Sequence, residues 1–187
     1  ATVGMLAGCV GSVLYQHINR QAIRLLQHAG CDVIVPRTQG CCGAIHHHGG
    51  RVHDAHHFAK VNIDAFLPMD GEQVDYIVND IAGCGAMLKD YGQLLSGDQA
   101  YAERAKEFVK RTRDISELLV TLKPDPPTRR LDRTVTYHDA CHLAHAQKVT
   151  NPPRQMLSWI PGLKVVSLPE SDMCCGAAGT YNLTEPK

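Results

Sequence analysis

The tripeptide Cys-Cys-Gly occurs twice in this chain, as Cys41-Cys42-Gly43 and Cys174-Cys175-Gly176, and each copy follows a lone cysteine at nearly the same distance. Between Cys9 and Cys41 lie 31 residues, and between Cys141 and Cys174 lie 32. Ligands to one metal centre converge from fixed points on a fold, so a repeated cysteine spacing predicts a repeated site. The chain reads as two copies of one module, each holding a metal ion or an iron–sulfur cluster in a paired-cysteine cradle.

Composition narrows the setting. Of 187 residues, 44% are hydrophobic, enough for a packed core in one large domain or two small ones. Lysine plus arginine equals aspartate plus glutamate at 19 each, which gives no electrostatic grip on nucleic acid or on an anionic membrane surface. No apolar run reaches the length needed to span a bilayer. Eight cysteines with no visible signal peptide point to ligation in a reducing compartment rather than to a disulfide framework. The expected location is cytoplasmic, with a peripheral position at the inner face of the cell membrane as the alternative. The chain opens on a strand already under way, and only eleven residues follow the second Cys-Cys-Gly. We therefore expect a fragment, cut at both ends.

Strand and helix patterns alternate. Thr2–Ala7 reads as a strand leading into Gly8-Cys9, and a helix is expected over Ser12–Ala29, where Val13, Leu14, Ile18, Ala22, Leu25 and Leu26 recur at helical spacing. Asp32–Val35 reads as a strand, Val52–Phe66 as a helix and Tyr76–Asn79 as a third strand before Cys84. Helices are expected over Ala86–Leu95 and over Tyr101–Leu122, the latter in two pieces around Asp114. Residues 124–133, rich in proline and charge, form a linker between a first module at 1–123 and an incomplete second at 134–187. The pattern then restarts with strand Val135–His138, Cys141, helix Pro153–Trp159, strand Lys164–Val166 and the second Cys-Cys-Gly. The expected fold is α/β: two pseudo-repeated Rossmann-like modules with short parallel sheets, ligands gathered at the carboxyl ends of the strands.

Iron in a cluster is held by thiolates, typically four. The first module offers Cys9, Cys41, Cys42 and Cys84, and the second offers Cys141, Cys174 and Cys175. Gly8, Gly40, Gly43, Gly83 and Gly85 flank the first set and let backbone approach a bulky group. A helix starting after Cys-Cys-Gly would aim amide N–H groups at anionic sulfur. No pair of CxxC knuckles, no HExxH and no compact ferredoxin run is present.

The long-range pattern resembles the CCG-domain family, which includes a cysteine-rich component of heterodisulfide reductase and the iron–sulfur subunits of lactate-utilisation, anaerobic glycerol-3-phosphate dehydrogenase and glycolate oxidase systems. The blocks GCCGAIHHHGG, IVNDIAGCGAMLKDYGQLL, YHDACHLAHAQKV and MCCGAAGTYNLTEP look most like the glycolate oxidase branch. That resemblance implies an electron-transfer subunit. It would take electrons from FAD-containing glycolate oxidase subunits, which oxidise glycolate to glyoxylate, and pass them toward the quinone pool. It implies cluster ligation by the seven cysteines named above, with no catalytic residue for glycolate in this chain. The family pattern closes with CxxC, which would place a cysteine at position 87, where this chain has Met87. An ordinary [4Fe–4S] cluster is the simpler expectation; a non-cubane cluster and a zinc ion are the alternatives. Other functional readings are an iron–sulfur subunit of a lactate or glycerol-3-phosphate dehydrogenase, a zinc-stabilised subunit-docking module, and a thiol-dependent enzyme using Cys141 with His142.

Other features have plainer readings. Cys31 has no counterpart in the second copy and reads as a core residue. His46, His47, His48, His53, His56 and His57 read as a solvated face beside the first site, with a dedicated metal site as the alternative. Lys106, Lys110, Arg111 and Arg113 read as a solvated helix face, and Asp139 and His138 as supports of a strand-end loop.

Overall fold

The computed structural model describes residues 1–71, 73–174 and 176. Strand β1 (Thr2–Met5) is followed by helices α1 (Cys9–Leu14) and α2 (Gln16–His28), then β2 (Asp32–Ile34). Helices α3 (Ala44–His48) and α4 (Val52–Phe66) lead to β3 (Tyr76–Asn79). Then come α5 (Ala82–Leu94), α6 (Ala102–Arg111), β4 (Thr112–Asp114) and α7 (Ile115–Leu122). The second half carries β5 (Arg133–Thr136), a π-helical turn (His142–Ala146), α8 (Asn151–Ser158) and β6 (Leu163–Val166). Between Leu122 and Arg133 the described residues form no helix or strand.

The expected α/β class with short parallel sheets is what the chain adopts. Four strands form a parallel sheet in the order β2-β1-β3-β4, and β5 and β6 form a separate parallel pair. Thr2 stands opposite Asp32, and Arg133 opposite Leu163, so residues paired across β1–β2 and across β5–β6 are 30 apart in each case. Alternation along the strands sends side chains to two faces. Val3 and Val78 face α2 and α7, joining Leu26, Cys31, Leu118 and Leu119 in one buried cluster. Ile77 faces the other side, where Ile63, Phe66, Leu88, Tyr91 and Phe108 from α4, α5 and α6 are buried. Gly4 lies beneath Phe66: a Cβ there would sit 2.5 Å from the ring, so this strand position must lack a side chain.

Several boundaries differ from the periodicity. The single helix expected over Ser12–Ala29 is two helices, starting at Cys9 and broken at Tyr15, whose φ/ψ of −126°/32° is not helical. Apolar spacing does not register a one-residue break. Of the expected buried positions, Ala22 and Leu26 are inside, whereas Val13, Leu14, Ile18 and Leu25 are exposed. Helix α5 starts at Ala82 rather than Ala86, which places Cys84 inside its first turn. Gly85 is packed so closely that a Cβ would collide with the Gln147 amide. Thr112–Asp114, expected within a helical stretch, is a fourth strand paired with β3. It is short enough to be hidden between two helices. Asp114 ends it and caps α7, accepting from Ser116 N while the Glu117 carboxylate accepts from Asp114 N. Cys31 is a core residue at 6% exposure.

Leu88→Ala should lower the unfolding free energy by about 2–5 kcal/mol, since Leu88 is fully buried. Val13→Ala, at a position 71% exposed, should change it by less than about 0.5 kcal/mol. Urea unfolding followed by circular dichroism distinguishes the two, and equal effects would contradict this packing.

Candidate metal centre

In a sheet of order β2-β1-β3-β4 the chain leaves β1 toward one edge and returns at β3 toward the other. The crevice beyond the carboxyl ends of β1 and β3 is where such folds place ligands. Cys9 follows β1 and opens α1, and Cys84 follows β3 in the first turn of α5. Gly8 makes the turn into α1 with φ +69°, and a Cβ there would meet Ile81 at 2.8 Å. Cys41 and Cys42 arrive on the loop after β2.

These four thiols line one cavity of about 250 Å³, together with the apolar side chains of Val10, Ile45 and Ile81. Cys9 Sγ is 3.6 Å from Cys41 Sγ. Cys9 is exposed, Cys41 and Cys84 are half-buried and Cys42 is buried. Gly43, at φ +87°, donates its N–H to Cys41 Sγ at 3.4 Å, and α3 begins at the next residue. Helix α5 presents its positive N-terminal end to the same cavity. A side chain at Gly83, which also lines the cavity, would meet no atom within 4 Å.

Cys9, Cys41 and Cys42 hold their protons at neutral pH. The hydrogen bond with Cys42, followed by burial, pushes Cys41 well above the usual thiol range. Cys42 is stabilised as thiolate by its bond from Cys41, yet the interaction with Cys84 and burial outweigh this and push it up to about 12. Burial, then contact with Cys41, raises Cys9. Metal binding here must therefore displace protons.

The Cys-Cys-Gly backbone is held by two side chains the sequence reading did not single out. Asn62 of α4 accepts from Gly40 N and donates to the Cys41 carbonyl, each at 2.9 Å. It also donates to Tyr91 Oη at 2.9 Å, and Tyr91, on α5, donates to the Cys42 carbonyl at 2.9 Å. Both residues are fully buried. A polar residue on the inner stripe of α4 was the available signal. Beside them, Gln39 bonds Ala7 N and the Met5 carbonyl, and Asn19 bonds the Ala7 carbonyl, tying the end of β1 to its neighbours.

The second half repeats the local geometry. Gly176, at φ +73°, donates its N–H to Cys174 Sγ at 3.4 Å, as Gly43 does to Cys41. Cys141 is half-buried at the start of the π-helical turn, its Sγ 3.6 Å from His142 Nδ1, and Cys174 is exposed. Cys175 lies outside the described residues. The approach to Cys174 is clamped to the end of β5. Asp139 N donates to the Ser171 carbonyl, and Arg154 Nη2 donates to Asp139 Oδ2 at 2.6 Å. Ser171 Oγ donates to the same carboxylate, while His138 and His145 reach the carbonyls of Met173 and Asp172. Asp139 and His138 thus support the strand-end loop.

The histidine run is dispersed. His46 packs on Phe58, with ring centroids 4.9 Å apart, and His47, His48, His53 and His57 are exposed. Only His48 of the run lines the cysteine cavity among the described residues, facing His142 with ring centroids 6.3 Å apart. Among the described residues, no three His, Cys, Asp or Glu side chains close on a single-ion position. On α6, Lys106, Lys110 and Arg111 pair with Glu103 and Glu107 on a solvated face. Met87 is buried in the core at 3% exposure, away from the cavity lining.

Tyr91→Phe should cost about 1–3 kcal/mol by stranding Asn62 and the Cys42 carbonyl, and it should speed alkylation of Cys42 in the metal-free chain. Unchanged alkylation would show that the phenol does not hold this loop. Arg154→Met should accelerate limited proteolysis within residues 167–173 several-fold, read by mass spectrometry. A wild-type cleavage rate would dissolve the clamp.

Comparison with known proteins bears on this geometry. A family model described as the CCG cysteine-rich domain matches residues 3–89 and 135–187. The probable glycolate oxidase iron–sulfur subunit of Bacillus subtilis (strain 168) is 38% identical over 185 residues, covering 98% of this chain and 41% of that protein. The glycolate oxidase iron–sulfur subunit of Escherichia coli (strain K12) is 35% identical, covering 97% and 44%. Lactate utilization protein A of Halalkalibacterium halodurans is 32% identical, covering 97% and 72%. The chain spans less than half the length of the first two relatives.

Proposed function

The chain belongs to the CCG cysteine-rich domain family, and on that premise we propose that it is the electron-transfer part of an iron–sulfur subunit in an oxidoreductase complex. The observation that carries this reading is the convergence of Cys9, Cys41, Cys42 and Cys84, from separate segments of the chain, on one apolar-walled cavity. An all-thiol donor set of four is the ligand set of a [4Fe–4S] cluster. Zinc, bound at about 2.3 Å from each sulfur, needs thiols that close on a point. The cavity of about 250 Å³ beside the thiols has room for a polynuclear group, and no three metal-ligating side chains among the described residues close on a single-ion position. When bound, such a cluster supplies one-electron reduction and oxidation.

This chain's own residues have the supporting work. The four thiols hold the group, Asn62 and Tyr91 fix the backbone that carries two of them, and Val10, Ile45 and Ile81 keep water from its faces. Cys141, Cys174 and Cys175 would contribute to a second site of the same kind. The relatives' names favour glycolate as the substrate of the wider complex. We propose that it is oxidised on an FAD-containing partner, with the quinone pool as eventual acceptor. The lactate utilization relatives favour a second reading in which the partner oxidises lactate. In either case no residue here acts on the 2-hydroxy acid. The two modules would be residues 1–123 and 134–187. No helix among the described residues is long and apolar enough to cross a membrane.

Anaerobic reconstitution with iron and sulfide, iron quantitation and electron paramagnetic resonance of the dithionite-reduced chain test the proposal. The expected result is about four irons from the first cysteine set. Its signal should vanish in Cys41→Ser and persist in Cys31→Ser. Stoichiometric zinc without iron uptake would replace electron transfer by a structural role.

A further inference from the structure

His142 belongs by sequence to the second copy of the repeat, yet it lines the first cavity. The π-helical turn that carries it packs onto α5, and its Leu143 and Ala144 are buried. Gln147 donates Nε2 to the Ala82 carbonyl at 2.9 Å, in the turn of α5 that holds Cys84. Because Gly85 has no side chain, Gln147 comes as close to α5 as its backbone allows. The His142 ring is held at Nδ1 by the neighbouring Cys141 Sγ at 3.6 Å, and it faces His48 on the same cavity wall. One imidazole therefore touches a cysteine of the second set and borders the cavity that all four cysteines of the first set line.

We propose that His142 completes the first site from outside its own repeat, covering one side of the cavity beside His48 and presenting an imidazole nitrogen to the sulfur atoms of the group held there. The first site is then a property of both halves together. A thiol-lined cavity with one wall missing admits water and reagents; the ring narrows that opening. An N–H donor beside cluster sulfur favours the more negative, reduced form and raises the reduction potential. The covering of that side follows from geometry alone, whereas the effect on potential rests on the iron–sulfur reading.

The test uses His142→Ala and His142→Phe in the whole chain. In the metal-free protein, maleimide labelling mapped by mass spectrometry should modify Cys42 and Cys84 several-fold faster in His142→Ala. His142→Phe, which restores ring volume, should keep the wild-type rate. Equal labelling in His142→Ala and wild type would overturn the covering role. After anaerobic loading, both variants should retain wild-type iron but reduce at a lower potential than wild type. An unchanged potential in His142→Phe would overturn the role of the nitrogen. If wild type takes up no iron, the electron-transfer reading fails, and the labelling rates still decide whether His142 walls the first site.

Discussion

The backbone of the first Cys-Cys-Gly is fixed by side chains, not by secondary structure. The loop lies between β2 and α3, with no ladder to pair with, and it must present two adjacent thiols to one cavity. Asn62 and Tyr91 bond the amide of Gly40 and the carbonyls of Cys41 and Cys42, and they bond each other. Leaving any of these buried groups without a partner costs about 1–3 kcal/mol, so the network behaves as one unit. Because the two side chains come from α4 and α5, loop position is tied to helix packing around Phe66 and Phe108.

The second copy solves the same problem with different chemistry. There the bidentate pair of Arg154 with Asp139, aided by Ser171, His138 and His145, anchors the residues leading into Cys174. Asp139 is held below the usual aspartate range, chiefly by its hydrogen bonds from Arg154. An amide–phenol network can be wholly buried, as Asn62 and Tyr91 are. A charged guanidinium stays partly in water, which is where Arg154 lies.

Much of the frame was readable because it rests on periodicity. Thr2, Asp32 and Tyr76 open strands at or beside the expected positions, and the first four cysteines named from their spacing meet at one cavity. What escaped was non-local. Asn62 and Tyr91 are ordinary letters in helical stretches until the loop they hold is in place. The three residues of β4 lack length, and only their pairing with β3 identifies them as a strand. Val13, Leu14 and Ile18 fit one buried stripe by spacing but lie outside, because the break at Tyr15 puts Val13 and Leu14 on α1 and Ile18 on α2, so they share no continuous helix face. His142 could be assigned to the first cavity only after the second half was packed against α5.

The equal offset of 30 residues in the β1–β2 and β5–β6 pairs has a consequence for how the cysteine motif should be understood. The interval between Cys9 and Cys41 carries most of α1, all of α2 across the sheet, and the return along β2. Removing one residue from α2 would rotate everything beyond the deletion by about 100° and carry Leu26 off Val3 and Val78. The spacing is thus enforced by the sheet beneath the helix, independently of what the thiols bind. A relative that had lost every cysteine could keep the same interval between its strand ends, and its ancestry would still be legible in that length.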